Sequence, residues 1–225
     1  ILLPVMLLEG ESSDEVARTD STPMIRALEK KHPNRSVLPQ DPGLNFINYL
    51  LEDFGDEWIT KYMFHYRWHF ESDADKAGTI LPLVNYQPNL PKEILHEAKQ
   101  FISQRQIERL WVVGSNDHTA KIIDSSFKKF MSLFNSHLEN NPFLLGNLPT
   151  SSDFAFYGQL SQLIGFDPTS RAIAHDLAMR VIAWHDLMND LSGLDVDKNS
   201  LNKLEECPDS LQQILNEVGK FYVPV

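Results

Sequence analysis

The 225-residue chain is 42% hydrophobic with a net charge of −11: enough apolar content for a full core in one or two domains, and the wrong sign for a phosphate-binding surface, so no nucleic-acid partner is expected. The single Cys207 excludes an internal disulfide framework and a Cys-based metal cluster. No stretch reaches the roughly 18 consecutive apolar residues of a membrane span, and the opening Ile-Leu-Leu-Pro-Val-Met-Leu-Leu is too short and lacks the basic flank of a signal peptide, so a soluble, cytoplasmic protein is expected.

Residues 1–8 form a short apolar run, and Gly10 to Asp14 a polar turn. Residues 15–19 alternate loosely, as an exposed strand does. Asp20-Ser21-Thr22-Pro23 is a helix start, with capping residues ahead of a first-turn proline. Met24, Ile25 and Leu28 continue it as a stripe that stops near Pro33. A β-hairpin plus one helix over 1–33 is too little for a free-standing domain. Residues 34–40, between Pro33 and Pro39, read as a linker, and 41–225 as an all-α domain.

Asp41-Pro42 opens the longest helical pattern. Phe46, Leu50, Phe54, Trp58, Tyr62 and Tyr66 recur every four residues, up to about Phe70, with Gly55 as a bend. Residues 71–90, polar and Pro-bearing, read as a loop. A second helix is expected over 91–113, with Ile94, Leu95, Phe101, Ile102 and Leu110 inward, and a third over 119–139. Further helices follow at 152–164, 171–191 and 199–218, the second with Val181, Trp184 and Met188 inward.

The stretch 143–157 carries the most information. Thr150 and Asp153 are spaced as a reciprocal N-cap, and the apolar run behind them requires a largely buried helix. Phe-Leu-Leu-Gly, a proline and then Thr-x-x-Asp resembles the buried folding motif of the glutathione S-transferase helical domain. The strings Val-Val-Gly-Ser-Asn (112–116), Phe-Tyr-Gly-Gln-Leu (156–160), Asp-Pro-Thr (167–169) and Asp-Leu-Ser-Gly (190–193) are similar to a bacterial-type branch of that superfamily. Leu3-Pro4-Val5 resembles the family's edge strand with its cis proline, and Asp20-Ser21 the acidic-Ser pair that opens its third helix.

The resemblance implies a mainly α fold: an all-α C-terminal domain preceded by the second half of a thioredoxin-like α/β domain. It implies glutathione as co-substrate, held by Val5, Asp20 and Ser21, and a small hydrophobic electrophile in a pocket bordered by Tyr62, His65, Tyr66 and Arg67. A homodimer is a further implication. The family's thiol-activating Tyr, Ser or Cys lies upstream of the edge strand, and nothing here precedes Ile1, so the catalytic residue is unassigned and the chain reads as a fragment or a scaffold that has lost it. Residues 71–118 are also longer than the family's usual connection.

Each assignment has a plainer alternative. Asp20-Ser21 serves equally as a helix cap, and the aromatic stripe as core. His65 and His69, at i and i+4, have metal-ligand spacing without an evident third ligand, which favours packed or solvated histidines. Cys207 beside Glu205 and Glu206 has no basic activator. A transferase-like enzyme and a non-catalytic binding subunit both remain open.

Overall fold

The computed structural model describes residues 4–9, 15–196 and 200–224, so Leu3, the whole 10–14 turn and Asn199 lie outside the described residues. Strands β1 (Val5–Glu9) and β2 (Glu15–Thr19) pair antiparallel, Val5 opposite Thr19. Helix α1 (Ser21–Lys31) follows, capped by the Asp20 carboxylate on the Thr22 amide at 3.1 Å. The expected hairpin and helix are therefore present. The longer elements described beyond α1 are helices: α2 (Pro42–Phe54), α3 (Thr60–His69), α4 (Glu71–Asn85), α5 (Lys92–Ile107), α6 (Ala120–His137), α7 (Ser151–Leu163), α8 (Pro168–Leu177), α9 (Met179–Asn189) and α10 (Asp209–Phe221).

A smaller cluster around Trp68, Ala74 and Ala77 carries α4 and α5, and one core joins α2, α3 and α6 to α10. Its centre is Leu51, Phe127, Phe134, Phe156, Leu160 and Val181, all buried without exposed surface. Edge-on and tilted ring contacts tie α2, α6 and α7 together, with Phe130 and Phe156 centred 5.6 Å apart and Phe54 and Phe156 at 6.0 Å. The bend expected at Gly55 is a π-turn over Gly55–Ile59 that joins α2 to α3. A Cβ at Gly55 would sit 3.0 Å from both Ala155 Cβ and Phe156 Cδ1. The glycine lets α2 approach α7, and the wider turn keeps the aromatic stripe inward beyond it.

Four expectations need correction. Residues 71–90 are not a loop, because 71–85 form α4. Its packing face is Ala74, Ala77 and Gly78, which are too small to leave a hydrophobic period in the sequence, and Pro82 sits near its end, where one lost amide matters little. The 91–113 helix stops at Ile107 and turns into a 3₁₀ segment (Leu110–Val113); Ile94 and Phe101 point outward. The 171–191 pattern is two helices, α8 and α9, broken at the buried Ala178, whose backbone (φ −147°, ψ 53°) is neither helical nor extended. The last helix starts at Asp209 instead of 199.

That late start has a backbone cause. Asn147 N–H donates to Ser200 O at 2.9 Å and Asn202 N–H to Leu145 O at 2.8 Å, so 200–202 pair with the 145–147 turn instead of coiling. Gly146 forms that bridge at φ 135°. A Cβ there would meet Asn202 N at 2.7 Å. Gly146→Ala is expected to lose about 1–3 kcal/mol in urea unfolding, since both the left-handed backbone and the close approach penalise it.

Candidate functional site

The candidate site is built where the hairpin and α1 meet α2 and α7. Its base is a buried polar cluster. Glu52, 2% exposed, accepts hydrogen bonds from Thr22 Oγ1 at 2.8 Å, from the Arg26 guanidinium at 3.1 Å and from Ser151 Oγ. Asn48 lies one turn earlier, donates to Ser151 Oγ at 2.7 Å and accepts from Ser152 N–H at 3.1 Å. One carboxylate and one amide thus hold α1, α2 and the start of α7 in fixed positions. A buried carboxylate persists only with partners of this kind.

Above this cluster lies a cleft of about 460 Å³, bordered by Pro4, Ser21, Glu52, Asp56, Ser151 and Phe154, with Gln159 and Gln162 further along α7. Its electrostatics are acidic. Burial and the nearby Glu52, Glu57, Asp20 and Asp53 push the Asp56 carboxyl up to about 6. Ammonium and amide donors suit such walls. Ser21 opens α1, but the Thr22 amide is taken by Asp20 and Pro23 has none, so of the first three positions only Ser21 can present its N–H and hydroxyl to a carboxylate. The cleft is thus mainly a cation-seeking surface, with Ser21 at one end as its donor for an acceptor group.

Of the residues expected to hold glutathione, Ser21 lines this cleft, and Val5 and Asp20 are chain neighbours of lining residues. Asp20 is exposed and adopts φ 75°, an uncommon conformation for a non-glycine residue. Its Oδ1 caps α1, so the helix-cap role is realised. Among the described residues, no strand covers the other edge of β1, and an extended ligand could pair there beside Val5.

Tyr62, His65, Tyr66 and Arg67 are all buried and form no part of that cleft's lining. Tyr62 lines a narrow crevice with Trp58 and Ser126, accepting from Trp58 Nε1 at 2.9 Å. Tyr66 donates to Asp124 at 2.7 Å. Arg67 pairs with Asp167 at 3.0 Å and lies over the Phe166 ring. The His65 ring stacks on His69 at 4.6 Å, and its Nδ1 meets Ser115 Oγ at 2.8 Å. Among the described residues no group of three metal donors forms.

His65 has a pH signature. Burial first, then His69, holds its pKa down to about 4, and its buried Nε2 has no hydrogen-bond partner. A depressed histidine is protonated first in the unfolded chain, so its contribution to stability is intact above about 6.5 and is lost as pH falls toward 4. His65→Asn is expected to flatten the stability–pH curve across this window relative to wild type, by up to about 1.4 kcal/mol per pH unit. Urea midpoints at stepped pH would show it; identical slopes would refute it.

Sequence reasoning missed Asn48, Glu52, Asp56 and Ser151. The available signal was Asn48 and Glu52 themselves: two polar residues four apart in an apolar helix, which must find buried partners. In comparisons with known families, curated proteins and solved structures, the chain finds no match.

Proposed function

We propose that the protein is a glutathione S-transferase-like enzyme that binds glutathione in the cleft between α1, α2 and α7 and transfers it to a small hydrophobic electrophile. The observation that carries this reading is the cleft itself, where Ser21 at the start of α1 and Pro4 ahead of β1 face Glu52 and Asp56. The γ-glutamyl ammonium fits Asp20 and the acidic wall, and its carboxylate the N–H and hydroxyl of Ser21. The backbone of Val5 pairs with the cysteinyl unit as an added strand does. The chemistry is attack of the glutathione thiolate on the electrophile, which requires the thiol pKa to be lowered. In the family this reading invokes, the activating group lies upstream of the edge strand, and no residue of this sequence is assigned that role.

Calorimetry with glutathione tests the reading. Wild type is expected to bind with a dissociation constant between micromolar and millimolar, and Asp20→Ala/Ser21→Ala to lose binding while keeping its helical circular dichroism. Affinity in wild type is expected to rise as pH passes upward through about 6, when Asp56 ionises and attracts the ammonium. Equal binding by wild type and the double variant would remove the site. A second reading, a non-catalytic transferase-like binding subunit, is favoured by the large apolar side chains exposed along α4 and α5; a folded protein that binds no glutathione would support it.

A further inference from the structure

Helices α6 and α10 pack antiparallel. His137 at the end of α6 meets Ser210 at the start of α10, with Nδ1 and Oγ 3.0 Å apart, and the end of α10 returns to the first turns of α6. There the two helices border a groove of about 470 Å³. Its apolar strip is Ile122, 62% exposed, and Phe221. Ser126 and Phe221 also border the narrow crevice beside Tyr62, so the strip continues inward to the core.

The rim of this groove is basic, on a chain whose net charge is −11. Lys121 and Lys129 stand on the α6 side and Lys220 on the α10 side, against Glu217 alone. None of the three lysines joins an ion pair with another described residue. The acid nearest them in α6, Asp124, is already held by Lys128 at 2.8 Å and by the Tyr66 hydroxyl. The cleft between α1, α2 and α7 has the opposite sign: Glu52 and Asp56 line it with no cation, and it shares no residue with this groove. Unpaired cations around an apolar strip on an acidic protein are complementary to an anionic, partly apolar partner.

Spacing selects among anions. Lys121 and Lys129 are eight residues apart, so their stems leave α6 about 12 Å apart along its axis, and Lys220 stands across the groove. A single carboxylate or phosphate satisfies one end of such a rim and leaves the other bare. A helix with acidic residues two turns apart, on both flanks of an apolar stripe, satisfies all three lysines and covers the strip. We propose that the α6–α10 groove docks an acidic amphipathic helix of a partner protein, its apolar stripe on Ile122 and Phe221 and its carboxylates on Lys121, Lys129 and Lys220. The proposal is independent of the glutathione reading. The lysines are exposed, so their pairs are screened by water and the contact is weak and salt-dependent.

Fluorescence anisotropy tests it with a labelled synthetic peptide of about 15 residues, near the shortest length that coils on its own, carrying a leucine stripe flanked by glutamates. Wild type is expected to bind this peptide. The same peptide with lysines in place of the glutamates should bind at least about tenfold more weakly, because like charges then meet across the groove. Lys121→Glu/Lys129→Glu should weaken binding of the acidic peptide about tenfold, and Ile122→Ser about fivefold through lost apolar contact. Lys30→Glu/Lys31→Glu changes the net charge equally at the end of α1 and should stay within about twofold of wild type. All five positions are exposed, and circular dichroism checks that each variant folds. A wild type that binds neither peptide, equal binding of both, or the same loss in the α1 variant as in the α6 variant would each overturn the proposal. Calorimetric binding of dodecanoate by a wild type that ignores the acidic peptide would likewise overturn it and give the groove to a small anionic amphiphile.

Discussion

Arg67→Met is expected to destabilise the protein by about 3–5 kcal/mol, the cost of leaving a buried charge without its partner. The guanidinium donates through Nε to both Asp167 oxygens, at 3.0 and 3.2 Å, and through Nη2 to the Gln162 carbonyl. It also lies 4.4 Å from the centre of the Phe166 ring. Met retains much of the apolar reach but leaves the Asp167 carboxylate fully buried and without its cation. Burial already pushes that carboxyl up to about 6, against the lowering effect of Arg67. Without Arg67 it must protonate or draw water into the α7–α8 corner. Arg67→Met/Asp167→Leu should recover part of the loss, because removing both charges removes the unpaired one. Urea unfolding of wild type, both single variants and the double variant gives the coupling; a single-variant loss below about 1 kcal/mol would contradict the assignment.

Asp153→Ala is expected to cost about 2–4 kcal/mol, above the usual loss from a missing N-cap. The reciprocal box with Thr150 is present, and the carboxylate takes the Thr150 amide at 2.9 Å and its hydroxyl at 3.0 Å. Its other oxygen accepts from Leu144 N–H at 2.9 Å, fastening the buried Phe143–Leu145 turn to the start of α7. Alanine strands two buried backbone amides that no water can reach. Thr150→Ala removes only the hydroxyl side of the box and should cost about 1 kcal/mol. Chemical denaturation ranks the two: equal losses would mean that the link to Leu144 contributes nothing.

These two sites differ in how legible they were. Thr150-x-x-Asp153 is a local device, complete within four residues and followed by an apolar run, so its position and burial could be read directly. Arg67 and Asp167 are 100 residues apart. Nothing local to either announces the other, and Arg67 among aromatics suits a pocket wall as well as a buried pair. The same holds for Glu52, whose partners Thr22, Arg26 and Ser151 come from two distant segments. The cleft exists only once those partners have met.

Periodicity succeeded where large apolar side chains mark the buried face, as in α3, α6 and α9. In α2 it held only in part, since Phe46 at the head of the stripe is exposed and the buried face runs through Leu44, Leu51 and Phe54. It failed where such side chains are lacking. Helix α4 packs through Ala74, Ala77 and Gly78, and close approach of two backbones needs small residues, which leave no hydrophobic period. Phe101 and Ile94 reversed the usual inference: their spacing is that of a buried stripe, yet the stripe faces outward.

By itself the sequence determined the mainly helical class, the hairpin and α1 ahead of it, and the buried capped start of α7, because each is fixed by neighbours within a few residues. The tertiary structure alone decided that Glu52 joins α1 to α7, that Tyr62, His65, Tyr66 and Arg67 are core, and that α4 and α5 form an outward hairpin. Those outcomes depend on which distant surfaces bury one another, and hydrogen bonds or ion pairs across 100 residues leave no trace in local spacing.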